Sequence, residues 1–135
     1  MLASESMDAA QALADLTEIS SQIEAAVLFD EDGAVLGSTL VDDDATKALA
    51  RAGAELLARA GEFRSDGDGV TQLEASTPEG SVFVVGGDAR RIAATTGPVP
   101  TVGLVFYDLK SCLRGAAEDP PEPKRPRRKK AEDEA

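Results

Sequence analysis

Carboxylates dominate the side chains of this chain that could do chemistry. The 135-residue sequence contains 25 Asp and Glu, 14 Lys and Arg, one Cys and no His. Histidine is the commonest general base and metal ligand, so its absence removes most hydrolytic and transition-metal sites. The acidic runs at 30–32 and 42–44 lack the twelve-residue spacing of a calcium loop. We therefore expect no catalytic residues, no metal site and no cofactor.

The single cysteine, Cys112, has no partner for an internal disulfide. Leu109 and Leu113 surround it in sequence, which favours a small buried hydrophobe over the alternative of a reactive thiol. No run of 18 apolar residues occurs, and the first residues contain no basic side chain. These features predict neither a membrane span nor a signal peptide, so we expect a cytoplasmic protein.

The net charge of −11 is distributed unevenly along the chain. Residues 118–135 contain six basic and six acidic residues, so the whole net charge lies on residues 1–117. An acidic body of this kind should repel nucleic acid and anionic lipid. The segment 118–135 also has four prolines and almost no apolar residues, which predicts a disordered tail behind one domain at 1–117.

The predicted tail carries a dense basic cluster made of Lys124, Arg125, Arg127, Arg128, Lys129 and Lys130. Three interpretations stay open. The cluster solubilises the chain, docks on an acidic protein surface, or binds nucleic acid or anionic membrane. No aromatic residue lies between the charges, so base stacking has no support.

Hydrophobic periodicity and turn residues predict three helices and five strands in the order αββαβββα. The predicted strands are 23–29, 34–40, 70–77, 81–85 and 92–96. The first two predicted helices are 8–21 and 43–63, and a buried final helix is expected from 99 onward, with apolar residues between 102 and 113. Residues 25–29 and 82–85 are apolar on both faces, which indicates a sheet covered on both sides. Strand 70–77 has one wetter face and suits a sheet edge. These elements predict an α+β fold, an α/β/α three-layer sandwich with a five-stranded antiparallel sheet and one helix on one face and two on the other.

The predicted helix 43–63 has too few charges for an ordinary surface helix. Beyond its start, its ionic residues fall within about 120° of the helical wheel. The remaining arc is Ala, Gly, Leu and Phe, which is wide enough for two contacts, whereas an ordinary amphipathic helix needs only one apolar stripe. The alternative is an exposed alanine-rich helix, since alanine is the best helix former. Small residues at 50, 53, 54 and 61 would let a second backbone come close.

Four segments together resemble the Roadblock/dynein light-chain family in its bacterial, mutual-gliding-protein-B-like form, which has a profilin-like fold. They are the first hairpin at 23–36, the Ala-rich helix at 45–60, the strand at 79–85 and the Gly-containing segment at 102–105. The resemblance implies a non-catalytic homodimer that lays its central helices side by side and pairs its third strands. It also implies a platform for a small Ras-like GTPase, sometimes accompanied by a sensor kinase.

Transferred to this sequence, the resemblance implies a dimer interface and a partner-binding ridge. The interface comprises Leu49, Ala52, Gly53, Leu56, Leu57, Ala60, Val70, Gln72 and Glu74. The ridge comprises Lys47, Arg51, Glu55 and Arg59, for which the alternative is a solvated face with i,i+4 ion pairs such as Arg51–Glu55 and Glu55–Arg59.

Arg64, Arg90 and Arg91 match no family motif, so no arginine finger is assigned. The leading hypothesis is therefore a homodimeric regulator or scaffold for a small GTPase. Two alternatives stay open, a sensory or scaffold module without a GTPase and a tether to nucleic acid or membrane through the tail.

Overall fold

The computed structural model describes residues 2–63, 71–87 and 89–117. It contains α1 (Leu2–Ile19), β1 (Ile23–Asp30), β2 (Val35–Ser38), α2 (Asp43–Phe63), β3 (Gln72–Thr77), β4 (Gly80–Gly86), β5 (Arg90–Thr96) and α3 (Val102–Ala117). The predicted order αββαβββα is confirmed. Most boundaries differ from the prediction by one or two residues, and the largest difference is that α1 begins earlier, at Leu2.

The five strands form one antiparallel sheet in the order β2-β1-β5-β4-β3. The central position of β1, β5 and β4 explains why their sequences are apolar on both faces. The short strand β2 lies at one edge and β3 at the other. The predicted edge position of this third strand is therefore confirmed, and within the sheet β3 pairs only with β4.

Two hydrophobic cores lie on opposite faces of the sheet. Leu28 and Phe83 belong to the core beneath α1 and α3, whereas Phe29 and Val84 belong to the core beneath α2. Alternate residues of one strand thus enter different cores, as the two-residue period of a strand requires. The predicted arrangement, with one helix on one face and two on the other, is confirmed.

Short polar interactions define the hairpin β1–β2 and the start of α2. The Asp30 carboxylate accepts hydrogen bonds from the amides of Asp32 and Ala34, both at 2.9 Å. Gly33 closes this turn with a φ of 88°, a left-handed conformation that favours glycine. Asp42 caps α2, because its carboxylate accepts from the Ala45 amide at 3.2 Å. Asp and Gly are residue types that favour such a turn, and Asp is among the preferred residues at a helix N-cap.

Part of the predicted dimer interface lies instead on the inner side of α2, against the sheet of the same chain. A Cβ atom added to Gly53 would lie 2.9 Å from the Ala93 Cβ and 3.2 Å from the Phe29 ring, so Gly53 faces the sheet of its own chain. Leu57 is 9% exposed and belongs to the same core, as does Ala50. The prediction that Gly53 and Leu57 meet a second helix is therefore wrong, because these positions seat α2 closely on β1 and β5.

Several other predicted residues lie outside the described residues. Val70, assigned to the dimer interface, is one of them, and Arg64 is another. The tail at 118–135, including its whole basic cluster, is likewise outside the described part of the chain. The interpretations of that tail stay predictions.

The two glycines of α2 give a matched test of how the helix is seated. We expect Gly53→Ala to lower the free energy of unfolding by about 1–3 kcal/mol, because the new methyl group overpacks the contact with Ala93 and Phe29. Gly61→Ala should instead raise it by about 0.5–1 kcal/mol, since its Cβ would meet no atom within 4 Å and alanine favours the helix. Urea unfolding followed by circular dichroism, at one protein concentration, measures both. Equal stability of the two variants would contradict this packing.

Candidate functional site

The surface of α2 divides into three longitudinal faces. The first is the inner side that packs on the sheet. The second, which we call the outer strip, is apolar and covers about 80° of the helical wheel. It consists of Leu49, Ala52, Leu56, Ala60 and Phe63. The third is the charged ridge of Lys47, Arg51, Glu55 and Arg59. The wide apolar arc predicted for α2 therefore comprises two surfaces, the inner side and the outer strip. Only the inner side packs mainly on the sheet of its own chain.

The outer strip is open to solvent at several positions. Phe63 is 84% exposed, and Ala52 is exposed in the middle of the helix. Leu49 and Leu56 are half-buried, because they also contact the margin of the core beneath α2. A groove of about 620 Å³ follows the C-terminal half of the helix between Leu56 and Phe63. An exposed apolar surface beside charged residues is typical of a protein-binding site.

The charged ridge is only partly paired. Lys47 lies 3.6 Å from Asp43, and Arg59 lies 3.8 Å from Glu55, with all four side chains largely exposed. Exposed pairs of this kind stabilise a helix by only a few tenths of a kcal/mol, about 0.3–0.5. The predicted pair Glu55–Arg59 is confirmed, whereas Arg51 forms no ion pair with any residue in the described ranges. Among the three cations of the charged ridge, Arg51 is therefore the one without an acidic partner in the described part of the chain.

The other predicted part of the interface is the free edge of β3. Gln72 and Glu74 pair with Val85 and Phe83 of β4, which places their side chains on the face covered by α1 and α3. The Glu74 carboxylate accepts hydrogen bonds from Ser76 at 2.8 Å and Ser81 at 3.1 Å. Because both side chains lie on the face opposite α2, pairing through this edge would depend on the β3 backbone. Unpaired backbone groups of an edge strand are a ready template for another strand.

If two copies of the chain paired through β3, the symmetry of the dimer would determine where their α2 helices lie. Two identical edge strands that pair antiparallel are related by a two-fold axis perpendicular to the sheet. Such an axis leaves the α2 helices of both copies on the same face of the enlarged sheet. In this chain α2 also contacts β3 directly. The outer strip and the β3 edge can therefore belong to one isologous interface.

The single cysteine lies in the core beneath α1 and α3. The Cys112 thiol is buried and donates a hydrogen bond to the Ala12 carbonyl at 3.4 Å. Burial, with a smaller effect from the nearby Asp15 carboxylate, raises the pKa of Cys112 to about 12, so the thiol stays protonated at neutral pH. The expected role as a small buried hydrophobe is confirmed. Arg90 and Arg91 begin β5 and are half-buried.

Within 2–63, 71–87 and 89–117, no three His, Cys, Asp or Glu side chains are grouped so as to hold a metal ion. None of the helices described there is both long enough and apolar enough to cross a bilayer.

Sequence reasoning missed one member of the outer strip, Phe63, which was counted as apolar but not assigned to the interface. The signal was present, because 49, 52, 56, 60 and 63 follow the alternating three- and four-residue spacing of one helix face. The sequence alone does not indicate which face of α2 packs on the sheet.

Comparison with solved structures identifies the fold. A Roadblock/LC7 domain from Streptomyces avermitilis aligns with a TM-score of 0.66 and 22% identity, over 75% of this chain and 88% of that one. MglB, a gliding protein from Thermus thermophilus, aligns with a TM-score of 0.71 and 15% identity, over 84% and 88%. MglB of Myxococcus xanthus gives 0.63 and 14%, over 84% and 85%. No family model and no curated protein matches the sequence.

At these identities the likeness shows a shared fold, and the chain has the fold of Roadblock/LC7 domains. The resemblance drawn from the four sequence segments is confirmed at this level. The α+β class and the five-stranded antiparallel sheet agree with it.

Burial of Cys112 predicts a thiol that reacts slowly. With a pKa of about 12 instead of 9.0, the thiolate fraction at pH 8 is about 1,000-fold lower than for a free thiol, so modification by Ellman's reagent should be far slower in the native chain than in urea. Because the folded pKa is raised, this thiol's contribution to stability is complete below pH 9 and declines between pH 9 and 12. Cys112→Ala should lack that decline. Equal reaction rates in buffer and urea would contradict the burial.

Proposed function

We propose that this chain is a non-enzymatic regulator or scaffold that acts as a homodimer and binds a small Ras-like GTPase. The outer strip of α2 and the backbone edge of β3 would form the dimer interface. The charged ridges of the two α2 helices would then form the surface that contacts the GTPase. A cytoplasmic location, expected from the sequence, is part of the same proposal.

The observation that carries the dimer is an apolar helix face left open above a sheet with a free edge. Ala52 and Phe63 are exposed on α2, and β3 has hydrogen-bond partners on one side only. Addition of a second β3 would satisfy the free backbone groups, and the same two-fold axis would bring together two apolar strips. Neither surface needs a rearrangement of the chain to be used. Burial of apolar area at about 25 cal/mol per Å² would provide the driving force.

The shared fold supports self-association without showing it for this chain. One of the solved structures with this fold, at a TM-score of 0.69 and 16% identity, is described as MglB with a tetrameric arrangement. That assembly is a property of that protein. The oligomeric state of the present chain, whether a dimer or a larger assembly, is to be measured in solution.

The charge pattern of the ridge supports a protein partner. Three of its four residues are cationic, although the chain as a whole carries a net charge of −11. Arg51, without an acidic partner in the described ranges, is available for an acidic group on another protein. Since no arginine finger is assigned, we expect the scaffold to act by ordering residues that the GTPase itself supplies.

Two exposed alanines on α2 give a matched test of the dimer. We expect Ala52→Glu to convert the protein from a dimer to a monomer, because it buries an unpaired charge in the strip. The control, Ala58→Glu, is also exposed, lies about 120° away from Ala52 around the same helix, and should remain a dimer. Light scattering coupled to size-exclusion chromatography distinguishes twice 14.0 kDa from 14.0 kDa. A wild-type monomer at micromolar concentration, or a dimer of Ala52→Glu, would contradict this interface.

The GTPase contact is tested by measuring binding of small Ras-like GTPases to the full-length chain. We expect Arg51→Glu to weaken binding about tenfold or more, because it reverses the charge that faces the partner. The variant should stay dimeric, since Arg51 lies outside the strip. Ala14→Glu, on the exposed side of α1, controls for added negative charge. If the dimer binds no such GTPase, the sensory or scaffold alternative without a GTPase is favoured.

A further inference from the structure

A second concave site lies on the opposite face of the sheet from α2. There the C-terminal half of α3 crosses the ends of β3, β4 and β5 and leaves a pocket of about 600 Å³. This volume lies within the range of about 300–1,000 Å³ that small-molecule sites occupy. The pocket shares no residue with the outer strip or the charged ridge.

The walls of this pocket concentrate positive charge in an acidic chain. Three of the seven Lys and Arg residues in the described ranges line it, namely Arg90, Lys110 and Arg114. The lining residues described by the structure include no carboxylate. Two of the cations, Lys110 and Arg114, are four residues apart on α3, a spacing at which like charges destabilise a helix. A cost of this kind is offset when an anion binds between the charges.

The two cations that α3 contributes to the pocket are not neutralised by acids of the described chain. Neither Lys110 nor Arg114 forms an ion pair with any described residue. The Arg114 guanidinium donates only to the Ser111 hydroxyl, at 3.3 Å, so its remaining donors stay available. The C-terminal end of the α3 dipole accounts for a cation at Arg114. It does not account for Lys110, which lies one turn earlier on α3.

The floor of the pocket is apolar. Val85 and Leu113 are 3% and 7% exposed and form the surface beneath the cations. Gly87 borders this floor, and a Cβ atom there would lie 3.1 Å from the Arg90 carbonyl oxygen and 3.2 Å from Leu113. Glycine at this position therefore keeps both the close approach of β4 to β5 and the space above Leu113.

We propose that this pocket binds a small organic anion with an apolar body. Its phosphate or carboxylate group lies between Lys110 and Arg114, where charge-assisted hydrogen bonds are strongest. Its apolar body lies on Val85 and Leu113. The pocket lies on the opposite face of the sheet from the outer strip and the charged ridge, and it meets the proposed dimer interface only at the start of β3, where Thr71 and Gln72 line it. Anion binding at Lys110 and Arg114 does not depend on the proposed function.

Four probes separate the contributions of charge and apolar contact. They are phenyl phosphate, phenylacetate, inorganic phosphate and benzyl alcohol, titrated into the full-length chain while amide signals are followed by NMR. We expect saturable shifts confined to 71–72, 85–90 and 110–114 for phenyl phosphate or phenylacetate, and the stronger of these two identifies the preferred oxyanion. Inorganic phosphate and benzyl alcohol should bind about tenfold more weakly, because each provides only half of the contact.

Exposed-side-chain variants complete the test without affecting the core. Lys110→Gln and Arg114→Gln should each weaken phenyl phosphate binding about five- to tenfold, whereas Lys47→Gln on α2 should leave it unchanged. The proposal is overturned by shifts that do not saturate at millimolar concentration. It is also overturned by shifts spread over all surface cations, or by equal binding in Lys110→Gln and the wild-type chain. Equal affinity for inorganic phosphate would overturn the assigned apolar contact.

Discussion

A single helix must cover one whole face of a five-stranded sheet, and the rest of the molecule is arranged around that constraint. The helix α2 sits close to the sheet because Gly53 brings its backbone against Ala93 and Phe29. Only about 100° of the helix is used in this contact, whereas α1 and α3 share the opposite face and also contact each other. The unshared helix is therefore left with an outer strip that the described residues cover only in part, at Leu49 and Leu56.

Much of the fold could be predicted because it depends on neighbours along the chain. The order of elements, the left-handed Gly33 and the Asp42 cap follow from local spacing and turn chemistry. The orientation of α2 could not be predicted in this way. The apolar arc of α2 is wide enough for the helix to pack in more than one orientation. The side that faces the sheet is set by contact of Gly53 with Ala93, forty residues away in sequence. Gly53 and Leu57 were consequently assigned to the wrong contact, while Leu49, Ala52, Leu56 and Ala60 stayed in the strip.

The cationic pocket shows the same limit of local reasoning. Arg90 and the pair Lys110 and Arg114 are about twenty residues apart and meet only because α3 crosses the strand ends. The two faces of the sheet thus differ in character. One presents an apolar strip beside a charged ridge, which suits a macromolecule. The other encloses a basic pocket with an apolar floor, which suits a small anion.

The central claim is that a second copy of the chain covers the β3 edge and the outer strip together. Hydrogen–deuterium exchange of the β3 amides that do not donate to β4 tests it most directly. We expect these amides to exchange slowly at high protein concentration and to lose protection on dilution, because their partner acceptors belong to the second copy. Fast exchange of these amides at every concentration would show that the edge faces water, and would contradict the account.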